Sequence, residues 1–400
     1  MKPTTLNISK AGLRENWKQF SLLVLINAFV GGMIGLERTI IPEFASSHFG
    51  IESASAIMAF IASFGISKAI SNDFAGKWAN KIGRKRLLVL GWLIAIPVPV
   101  MLWTADSWNV VIASNILLGI SQGLTWSTTV IMKIDIAGAK NRGLAMGLNE
   151  FAGYLSVGLI AYLSGIIAVK FGIHPYPFYL GFAIAVLGFI LSLFFVKDTA
   201  HFVLNEPIVS NNDPVKLTHS SCKKNPIYAI TQAGLINNLN DGMIWGLFPI
   251  FLANAGFHLS EIAVLTAAYP ISWGILQLIA GKMADKYEAK EMIFWGMLLQ
   301  AIAIIGLTIL TAFHFQLTFA ITLGLGTALV YPTFFVAISN LVLPEKRAES
   351  IGKFRFWRDS GYVFGALISG FSADLLGVQA AIIIVGIITF ISAIIVRCKM

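Results

Sequence analysis

The sequence predicts an all-α integral membrane protein, with twelve transmembrane helices in two parallel sets of six and both termini cytoplasmic. Three observations lead there. Of 400 residues, 56% are hydrophobic and only 12% charged, about half the charged share of a soluble domain. The apolar residues fall in long unbroken runs, unlike the short alternating segments of a membrane barrel. A segment beginning at Ala75 recurs at Ala280. The same composition excludes intrinsic disorder, and 2 cysteines exclude a disulfide scaffold.

A spanning helix needs about 20 apolar residues. Twelve runs qualify: 19–41, 54–75, 87–104, 109–132, 144–168, 177–196, 227–252, 260–280, 292–312, 317–341, 352–372 and 379–396. The longest connection, 197–226, is polar and carries Asn205, Pro207, Asn211, Asn212, Asp213 and Pro214. It reads as a cytoplasmic linker between six-helix bundles at 1–196 and 227–400. Most of the 29 Lys and Arg, including Lys77, Lys81, Arg84, Lys85 and Arg86, fall on one side of this topology, and Lys170 alone falls in a loop on the other. That asymmetry places both ends inside and assigns the +9 charge to membrane orientation, with no nucleic-acid partner. The first run is too long for a signal-peptide core and reads as an uncleaved span. Cys222 and Cys398 fall on the reducing side, so no disulfide is expected.

At an offset of 205, Ala75-Gly76-Lys77-Trp78-Ala79-Asn80-Lys81 overlies Ala280-Gly281-Lys282-Met283-Ala284-Asp285-Lys286. Gly91 overlies Gly296, Leu118-Gly119 overlies Leu323-Gly324, Arg142 overlies Arg347 and Gly147 overlies Gly352. One offset recurring over several runs implies that six helices are repeated in the same orientation. Parallel halves of this kind place a transport site between them near the bilayer midplane.

The stretch from Gly76 to Arg86 resembles the signature loop of the major facilitator superfamily, G-x-x-x-D-R/K-x-G-R/K-R/K, with Asn80 in place of the acid. The second copy keeps Asp285 and Lys286 but loses the later Gly-Arg-Arg. The resemblance spans the chain and implies a secondary transporter working by alternating access. Likeness to proton-coupled drug antiporters is partial: Asn115 stands where they carry a fourth-helix Arg, and Gly147, Gly153 and Gly158 lack their accompanying proline.

Charged and amide side chains inside apolar runs need a reason. In the fourth run Asn115, Gly119, Gln122, Trp126, Thr129 and Lys133 share one face. In the resembled fold this face borders the central cavity, so Asn115, Gln122 and Trp126 are expected to contact substrate; polar helix–helix contacts are the alternative. In the seventh run Asn237 and Asn238, further candidates for substrate contact in the cavity, lie on the face of Asp241, an acid suited to proton coupling. Glu37, beside Arg38 in the first run, resembles an acid that related transporters place before a proline, and is the second candidate for proton coupling. Tyr331 repeats the position of Trp126 at the same offset and is a further cavity candidate.

Lys133 and Glu150 are expected to form an interhelical ion pair. Asp73, Lys77 and Arg84 are expected to latch against Arg355, Arg358 and Asp359 when the cytoplasmic side is closed, with Arg355 bridging Asp359 along one helix. No metal-ligand pair, nucleotide loop or catalytic triad stands out, so neither a cofactor nor enzymatic catalysis is expected.

The expected function is alternating-access transport of a small solute, with proton antiport for export first. Proton symport for uptake and uniport are the alternatives. A non-transporting receptor on the same scaffold is the reading from another class. The expected setting is the plasma membrane, a bacterial inner membrane, as a monomer.

Overall fold

The computed structural model describes residues 12–137, 142–204, 226–284, 286–342 and 347–400, all helix, turn and loop. Residues 205–225, most of the expected linker together with Cys222, lie outside the described residues, as do Asp285 and the side chain of Asn80.

The helices are α1 (Trp17–Arg38), α2 (Ile41–Phe49), α3 (Ala54–Ile82), α4 (Arg84–Ala95), α5 (Pro97–Trp103), α6 (Trp108–Ala137), α7 (Arg142–Phe171) and α8 (Tyr176–Phe194). They continue with α9 (Ala200–Leu204), α10 (Pro226–Asn254), α11 (Leu259–Ala284), α12 (Ala289–Ile309), α13 (Phe313–Leu341), α14 (Arg347–Leu376) and α15 (Val378–Lys399). Among the described residues, ten stretches are long and apolar enough to cross a membrane. Helices α10 and α14 are as long, 29 and 30 residues, but carry the polar clusters of the seventh and eleventh runs.

Two runs are broken. The first becomes α1 and α2, with Pro42 in the opening turn of α2. The third becomes α4 and α5, with Pro97 opening α5. Proline lacks an N–H and suits a first helical turn, so each break falls where the ladder bond is already missing. The turn joining α3 to α4 is the single residue Gly83, at φ +93°, a backbone conformation that side chains with a Cβ rarely adopt. The end of the molecule holding Gly83 is called the loop end below.

The repeat is visible in the packing. Helix α1 packs on α7 and α8, and α10 on α14 and α15; α3 packs on α6, and α11 on α13. Gly119 of α6 rests on the backbone of Phe64 and Lys68, and Gly324 of α13 on that of Tyr269 and Trp273, the same positions 205 residues on. Gly91 lies against Leu124 and Thr125, and Gly296 against Leu329 and Val330. Small residues at these sites let the helices approach closely without a hydrophobic drive from water.

The sets α1–α9 and α10–α15 meet along α7 with α11 and α3 with α14. Away from the loop end this boundary is bridged by direct contacts around a smaller cleft of about 290 Å³, lined by Thr39, Glu43, Pro249 and Asp374 among others. The Thr39 and Thr266 hydroxyls lie 3.1 Å apart across it. Asp374 of α14 caps the start of α3, accepting from the backbone N–H of Ala54 (2.6 Å) and Ser55 (3.1 Å) and from the Ser53 hydroxyl (3.0 Å). At the loop end the sets part around a cavity of about 800 Å³ walled by Asn72, Asp73, Ser127, Met146, Phe335 and Arg355, among others. The conformation is open at the loop end and shut at the other.

Candidate functional site

Helix geometry places the buried polar residues at mid-depth. At a rise of about 1.5 Å per residue, α3 is roughly 42 Å long, with Phe64 and Lys68 about 15 and 21 Å along it. Asp241 falls near the middle of α10, and Arg358 and Asp359 about a third of the way along α14. Hence the candidates from α1, α3, α10 and α14 converge between the two sets.

Glu37 and Arg38 are buried, at 0% and 2% exposure. Neither carboxylate oxygen of Glu37 has a hydrogen-bond partner among the described residues, although Asn115 stands beside it. Asn115 donates instead to the Val111 carbonyl, 3.1 Å away. The Arg38 guanidinium lies over three rings, Trp245 at 4.6 Å, Phe64 at 5.0 Å and Phe60 at 5.8 Å. Asp241 accepts a hydrogen bond from the Tyr269 hydroxyl on one oxygen, and its other oxygen has no partner among the described residues. Tyr269 also lies 3.3 Å from the Thr327 hydroxyl.

Lys68 occupies the space between the sets. Its ammonium lies over Tyr362 at 5.0 Å, Phe64 at 5.4 Å and Trp126 at 5.6 Å, with Asp359, Arg358, Glu150 and Arg38 as its charged neighbours. Aromatic faces attract cations at such distances. Tyr154 and Trp273 stack across the boundary, centroids 3.4 Å apart, and Trp273 meets Tyr331 edge-on at 5.9 Å.

The candidates expected to line a cavity are all buried, and none walls the open loop-end cavity. Gln122 donates to the Val30 carbonyl at 2.8 Å, tying α6 to α1. The Trp126 indole donates to Glu150 at 3.3 Å. Asn237 donates to Asn238 at 3.5 Å, and Asn238 to Asp359 at 3.3 Å. Tyr331 lies under the Arg358 guanidinium at 4.4 Å.

The expected Lys133–Glu150 ion pair is not formed. Lys133 Nζ bonds the Leu23 carbonyl at 3.3 Å, and Glu150 accepts from Trp126 and from Asn149 at 2.9 Å. The buried carboxylate is solvated by neutral donors on its own side, and the ammonium by a carbonyl of α1.

The latch is expected only when the loop end is closed, and in this open conformer its residues take other partners. Asp73 pairs with Lys77 one turn along α3, at 2.8 Å and exposed to solvent. Arg84 is drawn to Asp135 at 2.7 Å, inside its own set. Arg355 lies over Phe335 at 5.6 Å and does not bridge Asp359. Asp359 is instead held by Arg358 at 3.2 Å and by Asn72 at 2.5 Å. Asn72 in turn accepts from the Ser127 hydroxyl at 2.8 Å. The link between the sets on the floor of the open cavity therefore runs through Asn72, while Asp73 and Arg355 stand on its walls.

Sequence reasoning missed Lys68 as a central residue, and with it Asn72, Tyr154, Trp245, Tyr269, Trp273 and Tyr362. A lysine inside the second apolar run was the available signal. The aromatic residues had none, because ring stripes in membrane helices are ordinary packing.

A deep cluster of buried charges between two repeated helical sets, beside a cavity open at one end, is what a rocking carrier requires. The sequence profile of the Major Facilitator Superfamily matches residues 21–233 and again 230–399. The chain belongs to the Major Facilitator Superfamily. It is therefore a multi-pass integral membrane protein with that superfamily's fold and a transporter of small molecules. Among its relatives, Multidrug resistance protein 2 of Bacillus subtilis (strain 168) is 26% identical over 370 residues, covering 90% of each chain. The proton-coupled antiporter flippase LtaA of Staphylococcus haemolyticus (strain JCSC1435) is 27% identical over 386 residues, covering 92% of this chain and 91% of that protein. The crystal structure of the human organic anion transporter MFSD10 (TETRAN) superposes with a TM-score of 0.68 at 13% identity, over 95% of this chain and 99% of that one, a likeness of fold.

Proposed function

We propose that this superfamily member is a twelve-span, proton-coupled secondary transporter that exports a small solute by antiport. In this reading residues 1–196 and 227–400 are rocking halves joined by the linker 197–226. The loop end and both termini face the cytoplasm, and the membrane is a bacterial inner membrane. The loop-end cavity then belongs to an inward-open state.

One observation carries the reading. Each half buries one acid of its first long helix, Glu37 and Asp241, each acid keeps at least one oxygen without a partner among the described residues, and Asp241 has Arg38 and Lys68 of the other half as charged neighbours. In the register of the repeat the two positions differ by one residue. A buried carboxyl group that must change protonation as substrate arrives links the two fluxes. The names of the Bacillus and Staphylococcus relatives support export and antiport.

A second reading, proton symport, is favoured by Arg38. A proton on Glu37 leaves the neighbouring guanidinium charge unbalanced, so a proton and an anion would enter together.

The test is gradient-driven flux in proteoliposomes, with proton release or uptake measured on substrate addition. Antiport predicts release, symport predicts uptake, and Glu37→Gln or Asp241→Asn abolishes the signal. Intact coupled flux in both variants would remove these acids from the mechanism.

A further inference from the structure

We propose that the Arg38 guanidinium is the recognition group for an organic anion, and that the substrate class is a carboxylate carried on a flat aromatic body. The inference rests on the transporter reading above but not on its direction. It starts from a shortage of acceptors. Arg38 is 2% exposed, and Nε, Nη1 and Nη2 all lack a hydrogen-bond acceptor among the described residues. A guanidinium stays charged in proteins and carries five N–H donors in its plane. Leaving such donors buried and unused costs more than leaving neutral ones. Its charged neighbours Glu37 and Asp241 form no ion pair with it: Asp241 accepts from Tyr269 on one oxygen, and neither its other oxygen nor those of Glu37 reach the guanidinium.

The rings decide what the site accepts. Trp245, Phe64 and Phe60 surround the guanidinium within 5.8 Å. Rings compensate the charge, yet they supply no acceptor for the N–H fork. That fork matches the two oxygens of a carboxylate. Trp245 also stacks on Tyr362 at 5.1 Å and 22°. Tyr362 reaches Lys68, a second buried cation with no ion pair among the described residues. Two cations framed by Phe64, Trp245 and Tyr362 suit an aromatic plane bearing negative charge. A cationic ligand would meet Arg38 and Lys68 as like charges. Of the nearby acids, Asp359 is bonded by Arg358, Asn72 and Asn238, and Glu150 by Trp126 and Asn149, whereas Glu37 and Asp241 keep unpartnered oxygens and are the groups a cation would seek.

The experiment is calorimetric titration of the full chain in detergent with three probes of one shape: 2-naphthoate, 2-naphthamide and 2-naphthylmethylammonium. The expected result is that 2-naphthoate binds at least tenfold more tightly than the amide and the ammonium no more tightly than the amide. Arg38→Gln should erase the preference for carboxylate over amide, and Arg38→Lys should restore it in part. Equal binding of carboxylate and amide, preference for the ammonium, or binding of none of the three would overturn the proposal. If Arg38→Gln does not fold, the ranking on the unaltered chain still decides. Transport of the ammonium probe alone would sink the anion assignment and leave the transporter reading standing. A carboxylate preference without flux in proteoliposomes would do the reverse.

Discussion

Asn72 of α3 donates a 2.5 Å hydrogen bond to Asp359 of α14, joining the two sets of helices on the floor of the open cavity. Asn72 is itself oriented by the Ser127 hydroxyl, and Asp359 by Arg358. A hydrogen bond to a charged group contributes about 1.5–3 kcal/mol. Asn72→Ala should therefore widen the loop end, shifting the balance between conformers by roughly tenfold or more. The measurement is a spin-label distance between Gly76→Cys and Gly352→Cys, after replacing the native cysteines. A side chain at either position meets nothing within 4 Å. An unchanged distance distribution would show that the bond does not restrain the halves.

Asp374 does the corresponding work at the opposite end. Its carboxylate accepts from three donors at the first turn of α3, and a negative charge there also suits the helix dipole. Asp374→Ala should release this closure and favour the conformer open away from the loop end. The label pair at Gly76 and Gly352 should then shorten, opposite in sign to the Asn72→Ala change. A common sign for both variants would mean that they only loosen the fold.

The fold was legible because apolar run length and the 205-residue offset report on lipid contact and on close helix approach, which few residues can satisfy. Gly91 and Gly296 are small for one shared packing reason, and the sequence displays it. The site was legible only in part. Glu37, Asp241 and Asp359 were visible as charges in apolar runs, but their partners were not. Trp245, over Arg38, lies more than two hundred positions away, and no periodicity on either helix pairs them. Matching Lys133 to Glu150 by charge overlooked the Leu23 carbonyl, because neutral backbone acceptors leave no mark in a sequence.

Arg84 and Asp135 form the buried ion pair of the signature loop, 2.7 Å apart with side chains 8% and 7% exposed. Asp135 also accepts from Thr199 at 2.6 Å, and Asp198 accepts from the Lys85 N–H at 2.9 Å, so the loop and the start of the linker are tied together. Removing one partner of such a pair leaves an uncompensated charge and costs about 3–5 kcal/mol, whereas replacing both costs less. Arg84→Gln should lower the thermal midpoint more than Arg84→Gln combined with Asp135→Asn. A double variant as unstable as the sum of the two single changes would show that the pair is not coupled.

His174 gives the end opposite the loop a pH response. In the loop between α7 and α8, it packs against both Phe44, centroids 5.2 Å apart, and His48, at 5.3 Å, which also stack on each other at 4.9 Å. Burial is the main influence on its imidazole and pushes the pKa below the ordinary histidine value; His48 adds to this, while the Trp103 and Leu102 carbonyls oppose it. The folded state therefore favours the neutral ring. The stability tied to this preference is present at neutral pH and declines as pH falls below the unfolded value of about 6.5 toward the lower folded one. The thermal midpoint of the unaltered protein should fall more steeply between pH 7 and pH 5 than that of His174→Phe, which keeps a ring against Phe44 and cannot take a proton. Parallel pH profiles would place the acid sensitivity elsewhere in the molecule.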